Sequence, residues 1–236
     1  MSRAQASVLL VGIGGLGTPA AIVLARAGVG RIGICDDDEV EETNLHRQIL
    51  FRDADVGRPK LEAAKDALLE LAPGAIIETH ATRLLPHNAT ELVRAYDLVV
   101  EGSDNFATKF LTADACRIAG RPVVHGAAVR WHGTALAVLA GGQPCYRCVF
   151  EDLPTGDAPN CDEAGVMGPV VGLVGALQAD LALALLDGKD VGGTLVTVER
   201  ERVRRRRVRG RAGCALCGPQ RNIASIERAR YLATNV

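Results

Sequence analysis

The chain has 236 residues, a formal net charge of −1 and only 3% aromatic residues. This length fits one α/β domain with a substantial core, filled mainly by aliphatic side chains. The near-neutral charge gives no overall field that would favour a nucleic acid or a membrane surface as partner. No export signal precedes the first apolar run, so we expect a cytoplasmic protein with reduced thiols.

The N-terminal stretch predicts a nucleotide-binding turn. Residues 8–11 form the short apolar run of a buried strand, and an Ala-rich helical pattern extends to Ala27. Four glycines lie between them: Gly12, Gly14, Gly15 and Gly17. Glycines allow the backbone to approach a ligand closely, and the free N–H groups at a helix start favour an anion. A second predicted strand ends at Asp36, which is placed to bind ribose hydroxyls.

The glycine pattern by itself leaves several ligands open. NAD, FAD and methyl-donor enzymes use similar turns, and a tight turn with no ligand is the remaining alternative. Arg47 and Gln48 follow Asp36 closely enough to reach a nucleotide, and a guanidinium suits phosphate oxygens. A plain surface loop would have a similar composition.

Two further polar residues lie at the ends of predicted elements. Lys60 begins a helix predicted over residues 60–71, where a cation opposes the helix dipole unless it faces a phosphate. Asp104 follows a predicted strand at residues 97–101, at the end where open α/β sheets bind ligands. It either positions magnesium on a triphosphate or caps the helix predicted at residues 106–119.

The second half of the sequence changes its pattern. Strands are predicted at residues 122–128 and 133–139 with no helical pattern between them, which favours antiparallel pairing. The apolar stretch at residues 166–186 contains Asp180, whose cost inside a membrane favours a buried helix beginning near Pro169. We therefore predict an α/β fold in which a Rossmann-like half with parallel strands continues into an antiparallel half.

Four cysteines form two pairs with the spacing of metal ligands: Cys145 with Cys148, and Cys214 with Cys217. Each pair supplies half of a tetrahedral site, and four thiolates suit a structural zinc ion with no open coordination position. Four unligated thiols are the alternative. Two other cysteines, Cys35 and Cys116, lie in strand and helix patterns and are predicted to pack in the core.

Two polar segments of the second half carry candidate functions. Residues 151–163 are rich in proline, glycine and acids and predict a mobile loop that contains Cys161. That thiol is available for nucleophilic or acyl-transfer chemistry, although the nearby acids should raise its pKa. Residues 199–211 contain a run of arginines, which forms either a charged edge strand or a surface for RNA or an acidic protein. Because no aromatic residues are interleaved, the edge strand is favoured.

Taken together, these motifs resemble the ThiF/MoeB/HesA family, the bacterial relatives of ubiquitin-activating enzymes. The resemblance covers about residues 7–218 and rests on independent motifs: GIGGLG, Asp36, NLHRQ, the lysine of GRPK, SDN, CYRC, CDEAGVMGP and CALC. It implies one adenylation domain over residues 1–236, with a nucleotide-binding half at 1–120 and a carrier-binding and zinc half at 121–236. The implied reaction is ATP-dependent adenylation of the C-terminal glycine of a ubiquitin-like sulfur-carrier protein, with release of pyrophosphate.

The resemblance also implies roles for individual residues. The Gly12–Gly17 turn would hold the nucleotide phosphates, Asp36 the ribose, and Asp104 a magnesium ion near the α-phosphate. The side chains around the triphosphate would be Asn44, Arg47, Gln48, Lys60 and Asn105. The implied zinc ligands are the four paired cysteines, and Cys161 matches a loop cysteine that forms an acyl-disulfide or thioester with the carrier in some members. Catalysis would thus involve Arg47, Lys60, Asp104 and Cys161.

The implied partners are a second copy of the chain and a carrier protein ending in Gly-Gly. Because no rhodanese-like domain follows Cys217, we expect a separate protein as sulfur donor. Family members usually have a longer leader with an arginine that reaches the neighbouring subunit. Here Arg3 is the one basic residue before the first strand, so we expect that contribution to be missing.

Several functional alternatives remain at this point. The carrier could serve thiamin or molybdopterin biosynthesis. Other possibilities are activation of a carboxylate on tRNA, a non-catalytic nucleotide-binding partner and, as a poorer fit, an NAD-dependent oxidoreductase.

Overall fold

The computed structural model describes residues 2–154 and 165–231, and its centre is a mixed sheet of eight strands. The strands, in chain order, are β1 (Ser7–Val11), β2 (Arg31–Asp36), β3 (Ile76–Ala81), β4 (Leu98–Glu101), β5 (Val123–Val129), β6 (His132–Val138), β7 (Thr194–Glu199) and β8 (Arg202–Arg207). The α-helices of these residues are α1 (Gly17–Arg26), α2 (Lys60–Leu71), α3 (Ala89–Arg94), α4 (Phe106–Ala119), α5 (Tyr146–Phe150) and α6 (Gly168–Leu186).

The sheet is parallel in its first half and antiparallel in its second, which confirms the predicted fold class. Its strand order is β3-β2-β1-β4-β5-β6-β7-β8. The pairs from β3 to β5 are parallel, and the pairs from β5 to β8 are antiparallel. The change follows β5 because only Arg130 and Trp131 separate β5 from β6, too few residues for the crossover that a parallel connection needs.

Helices cover both faces of the parallel half. Val8 and Leu10 of β1 pack with α1, α2 and α6 on one face. Leu9 and Val11 point to the other face and pack with α3 and α4. Because side chains alternate along a strand, a strand covered on both faces needs an uninterrupted apolar run. The SVLLV sequence of β1 meets this requirement.

Helix α6 is the buried helix that the sequence predicts near Pro169. Among the helices of residues 2–154 and 165–231, it alone has the length and hydropathy of a membrane span. Nevertheless it packs against β5, β6 and α1. Gln178, fully buried at its centre, donates hydrogen bonds to the carbonyl oxygens of Glu101 (2.7 Å) and Val124 (3.2 Å). These contacts identify α6 as a core helix of the domain.

The strand order creates a crevice at one edge of the sheet. From β1 the chain proceeds to β2 and β3 on one side, and it returns to place β4 on the other side of β1. Crevices at such reversal points, outside the carboxyl ends of the strands, are the usual ligand sites of open α/β sheets. The topology brings three residues together at this crevice: Gly12 after β1, Asp36 at the end of β2 and Gly102 after β4.

A buried ion pair attaches the cysteine-rich part to the sheet domain. The guanidinium of Arg147 lies 2.8 Å and 2.9 Å from the two carboxylate oxygens of Asp114 on α4. The Tyr231 hydroxyl donates to the same carboxylate over 2.7 Å. Arg147 is 1% exposed and Asp114 is fully buried, so neither charge has water as an alternative partner.

The arginine run forms β8, which confirms the predicted edge strand. In the part of the chain that the structure describes, β8 pairs with β7 alone and all six of its residues are exposed. A row of positive charges on an open edge opposes pairing with the strands of other molecules.

Loss of the Asp114 carboxylate should strongly destabilise the fold. We expect Asp114→Ala to lower the free energy of unfolding by about 3 kcal/mol, because the buried Arg147 guanidinium would keep only its ion pair with the exposed Asp152 (2.8 Å) and the Tyr231 hydroxyl would lose its acceptor. The matched control is Asp180→Ala on α6, whose carboxylate lies 3.7 Å from Arg205 and is 66% exposed. We expect it to cost at most about 1 kcal/mol. Chemical denaturation of both variants measures the difference, and equal losses would contradict this account of Arg147.

Candidate active site and metal centre

A cleft of about 540 Å³ occupies the crevice at the carboxyl ends of β1, β2 and β4. This volume lies in the range of about 300–1,000 Å³ typical of small-molecule sites. Its lining includes most of the predicted nucleotide-binding residues: Gly12, Gly14, Gly15, Asp36, Arg47, Gln48, Lys60, Asp104 and Asn105. Asn44 lines an adjoining cavity that shares Arg47, Gln48, Lys60 and Asp104 with the first.

The glycine turn has the tight geometry that its sequence predicts. Gly12 has a φ of +87°, and a Cβ atom there would lie 3.3 Å from the carbonyl oxygen of Gly102. Gly17 is not among the cleft-lining residues. A Cβ atom there would collide with the carbonyl oxygen of Gly12, so the close packing of the turn requires glycine. Gly12 and Gly17 therefore shape the turn, whereas Gly14 and Gly15 present backbone to the cleft.

The start of α1 gives the cleft an anion-binding end. The first turn of this ten-residue helix contains no acidic side chain. Gly14, Gly15 and Leu16, which precede it, all line the cleft. N–H groups and the positive end of the helix dipole favour a phosphate at this place.

Asp36 lies at the floor of the cleft beside the glycine turn. Its carboxylate accepts hydrogen bonds from the backbone N–H groups of Ile13 (2.8 Å) and Asp38 (2.9 Å). Burial raises the pKa of Asp36, and these two hydrogen bonds oppose that rise. The carboxylate is therefore held by backbone, in an orientation fixed before any ligand arrives.

Four cationic side chains of the described residues line the cleft, and one of them, Lys109, belongs to the buried network described below. Lys60 is only 5% exposed, and its Nζ lies 2.9 Å from Oδ2 of Asp38. Arg47 lies beside the glycine turn, since its Cγ would be 3.4 Å from a Cβ atom built on Gly15. Sequence reasoning missed the third, Arg83, which pairs with Asp37 over 2.9 Å. Arg83 lies just after β3, at the carboxyl end of a parallel strand, and this position could have indicated a cleft residue.

Asp104 faces the cleft and does not cap the following helix, so the capping alternative was wrong. The cap of α4 is Asn105, whose side-chain oxygen accepts a hydrogen bond from the Thr108 N–H over 2.8 Å. Asn105 thus has a structural role as well as a place in the cleft lining. The Asp104 carboxylate is left available at the cleft wall.

A buried network beneath the cleft holds the loop that carries Asp104. Glu101, fully buried at the end of β4, accepts hydrogen bonds from Ser103 N (2.8 Å) and Lys109 Nζ (3.1 Å). Nδ1 of His125 lies 3.4 Å from the same carboxylate. The sequence analysis missed this network, although Lys109 lies one helical turn after Asn105 and lines the cleft.

Burial and neighbouring groups shift the pKa values of Glu101 and His125. Burial opposes ionisation of Glu101, but the charge of Lys109 and hydrogen bonds from His125 and Ser103 outweigh it and lower the pKa of Glu101. Burial lowers the pKa of His125, against the opposing effect of Glu101. These shifts favour the carboxylate form of Glu101 and the neutral form of the His125 imidazole.

The four paired cysteines meet in one cluster, with all four Sγ atoms within 4.8 Å of one another. Two Sγ–Sγ distances, Cys145 to Cys214 and Cys148 to Cys217, are 3.4 Å, and Cys145 to Cys148 is 3.9 Å. A tetrahedral zinc ion with bonds of about 2.3 Å places its sulfur ligands about 3.8 Å apart. The donor set and its spacing therefore fit zinc. Cys35 and Cys116 are buried in the core, as predicted.

With no metal present, burial disfavours the thiolate form of two of the four cysteines. Burial raises the pKa of Cys145, and burial with the neighbouring thiols raises the pKa of Cys217 to about 12. Burial opposes ionisation of Cys214 as well, but hydrogen bonds from the backbone N–H groups of Cys217 and Leu216 outweigh it and lower its pKa to about 7. Zinc binds thiolates, so the charge of a bound zinc ion would stabilise the thiolate form that burial disfavours.

The remaining candidate, Cys161, lies outside the residues that the structure describes. Its proposed reactivity stays a prediction.

Comparison with known proteins gives a family for this arrangement. The ThiF family profile matches residues 3–217. The chain belongs to the ThiF family. This ThiF-family chain is 40% identical over 228 residues to the "Adenylyltransferase and sulfurtransferase MOCS3" of Culex quinquefasciatus, covering 94% of this chain and 52% of that protein. The Dictyostelium discoideum protein of the same name is 37% identical over 233 residues, covering 96% of this chain and 55% of that protein. The chain thus spans about half the length of the curated relatives it matches.

Solved structures support the fold. A crystal structure of E. coli MccB with MccA-N7isoASN superposes with a TM-score of 0.81 at 24% identity, covering 92% of this chain and 68% of that one. A structure of PaaA superposes with a TM-score of 0.73 at 23% identity, covering 89% and 66% of the two chains.

The cysteine cluster should hold zinc in the purified protein. We expect about one zinc ion per chain by elemental analysis, because four thiolates complete a closed tetrahedral site. Cys214→Ser should lose the metal and lower the melting temperature. Cys116→Ala, a buried thiol outside the cluster, should retain it. Full zinc content in Cys214→Ser would disprove this ligand set.

Stability should fall as the pH drops below neutrality. His125 is buried and its pKa is lowered in the folded protein. As the pH falls below about 6.5, the imidazole is therefore protonated more readily in the unfolded chain than in the folded one, and the free energy of unfolding decreases. Glu101, also with a lowered pKa, adds a further loss below about pH 4.5. Denaturation at a series of pH values measures this loss. Between neutral pH and about pH 5, the free energy of unfolding should decrease less for His125→Gln than for the exposed control His132→Gln.

Proposed function

We propose that this ThiF-family protein is an ATP-dependent adenylyltransferase that activates the C-terminal glycine of a ubiquitin-like sulfur-carrier protein. The observation that carries the proposal is the meeting of Arg47, Lys60 and Asp104 in one cleft with the glycine turn. The name of the MOCS3 relatives includes the same activity. The cytoplasm is the proposed location, and the carrier is proposed to serve thiamin or molybdopterin biosynthesis.

The cleft would bind ATP by backbone and charge together. The N–H groups before α1 and the side chain of Gln48 would contact phosphate oxygens, and Asp36 would accept hydrogen bonds from the ribose. Gln48 is 4% exposed, and its Oε1 has no hydrogen-bond partner in the described part of the chain. A buried acceptor without a partner is costly, so a hydroxyl or amino group of a ligand would be favourable at Oε1, whereas the amide nitrogen of Gln48 is the atom that would donate to a phosphate oxygen.

Lys60 would exchange its partner when ATP binds. It now pairs with Asp38, which is about half exposed, over 2.9 Å. A triphosphate carries more negative charge than one carboxylate, so the buried ammonium would turn to the phosphates and leave Asp38 to solvent or a cation.

The reaction needs charge neutralisation more than proton transfer. The terminal carboxylate of the carrier is ionised at neutral pH and attacks the α-phosphorus of ATP. An oxygen of that carboxylate forms a bond to the α-phosphorus. The bond between the α-phosphorus and the bridging oxygen of the leaving pyrophosphate breaks. Arg47 and Lys60 would reduce the repulsion between carboxylate and triphosphate and stabilise the charge that moves to the leaving group.

Two metals would assist in different ways. Asp104 and Asp38 line the same part of the cleft and offer hard carboxylate oxygens, which suit a magnesium ion. Magnesium would supply charge neutralisation at the phosphates. Zinc at the four cysteines would be structural, because a closed thiolate site has no position for a substrate.

The proposal includes partners that the cleft alone does not define. We propose a carrier ending in Gly-Gly and a homodimeric enzyme. If the carrier reacts further on this chain, Cys161 is the proposed acceptor.

The role of Lys60 can be tested by pyrophosphate release. With ATP and a cognate carrier, Lys60→Ala should lower kcat/KM by about 10²–10³-fold, because it removes one preorganised positive charge from the phosphates. The control is Lys65→Ala, an exposed lysine of the same helix that does not line the cleft. Wild-type release by Lys60→Ala would exclude the assigned site, and a larger thermal shift with NAD than with ATP would favour an oxidoreductase.

A further inference from the structure

The arginines of β8 point to two different faces of the sheet. Arg205 and Arg207 lie on the side of α6 and pair with Asp180 (3.7 Å) and Asp190 (2.7 Å). Since side chains alternate along a strand, Arg204 and Arg206 point to the opposite face. The run is therefore not one uniform charged edge.

The charge on this opposite face is unbalanced. Across the β7–β8 pairing, Arg204 lies beside Thr197 and Arg206 beside Leu195, whereas Arg202 lies beside Glu199. Arg204 and Arg206 are exposed, and neither has a carboxylate within ion-pair distance among the described residues. Two neighbouring guanidinium groups thus face outward with no carboxylate partner in residues 2–154 and 165–231.

A lane of small residues connects these arginines with the cleft. In register across four strands, Ala127 of β5 pairs with Thr134, Thr134 with Thr197, and Thr197 with Arg204. The first three side chains are small and half-buried, and Ala127 also lines the cleft. Three strand spacings of about 4.8 Å put Arg204 about 14 Å from Ala127.

We propose that Arg204 and Arg206 select the carrier protein by binding acidic side chains on its surface while its C-terminal tail follows this lane into the cleft. This inference rests on the proposed function and names the surface chemistry of the partner. An extended tail of about five residues spans the distance from Arg204 to the cleft wall. The body of the carrier would then lie over β8, and its terminal carboxylate would reach Arg47 and Lys60.

The spacing of the two arginines defines the complementary surface. Cα atoms two residues apart on a strand are separated by about 6.7 Å. A partner strand with acidic residues at alternate positions has the same spacing, so two ion pairs can form at once. Such pairs at the rim of an interface mainly raise the association rate and discriminate against partners of like charge.

A protein partner fits this surface better than RNA. Residues 199–211 contain no aromatic side chain on which a base could stack. Moreover, Arg205 and Arg207 are already paired with acids, so only part of the positive charge of this segment is available to a partner. Sequence-independent binding of nucleic acid typically uses a longer basic track along the phosphate backbone.

The test compares two double variants of the same strand. Arg204→Ser with Arg206→Ser removes the outward pair, and Arg205→Ser with Arg207→Ser removes the same charge from the α6 side. Pyrophosphate release is measured with ATP and the purified sulfur carriers of the thiamin and molybdopterin pathways. We expect the outward variant to raise KM for the carrier about fivefold at low salt, with unchanged kcat and unchanged KM for ATP. The α6-side variant should keep the wild-type KM, and added salt should remove the difference.

Each other outcome overturns the inference in a recognisable way. Release of pyrophosphate with an unchanged KM for the carrier in the outward variant would refute the docking role and leave the proposed function intact. No release with either carrier by the wild type would refute both. Binding of tRNA that depends on Arg204 and Arg206, with carrier kinetics unaffected, would assign the row to RNA.

Discussion

The buried carboxylate of Glu101 is the interaction on which the functional part of the molecule depends. A charge with no exposure to water costs several kcal/mol unless its partners are held in place, and here three elements supply them. Ser103 comes from the Asp104 loop, Lys109 from α4 and His125 from β5. The carboxylate therefore fixes the cleft wall, the following helix and the next strand relative to one another.

The same network extends from the cleft to the metal centre. The ring of His125 lies 4.4 Å from that of Tyr146, which follows the cysteine ligand Cys145. Arg147, the next residue, joins α4 through Asp114. The cleft and the cysteine cluster are thus the two ends of one continuous packed region.

Much of this arrangement could be predicted because its signals are local. The apolar run of β1, the glycine turn and the CxxC pairs each express a requirement that a few adjacent residues satisfy. The change from parallel to antiparallel pairing was also readable, since too few residues separate β5 from β6. Lys60 was conspicuous because a cation at a helix start is unfavourable without a reason.

The rest depends on contacts between distant segments. Glu101 follows an apolar strand and has no local feature that predicts a buried charge, because its partners Lys109 and His125 become neighbours only in the folded sheet. Arg83 lines the cleft because β3, which it follows, pairs with β2. Asn105, and not Asp104, caps α4, because the capping geometry depends on one backbone turn.

The cysteine cluster has a consequence for the order of events during synthesis. The first pair leaves the ribosome long before the second, and two thiolates alone make only half of a closed site. Bringing the halves together requires the intervening helix and the last strands, because closing so long a loop is otherwise entropically unfavourable. Binding of a metal at this cluster would therefore be a late step of folding, because it requires both pairs of cysteines.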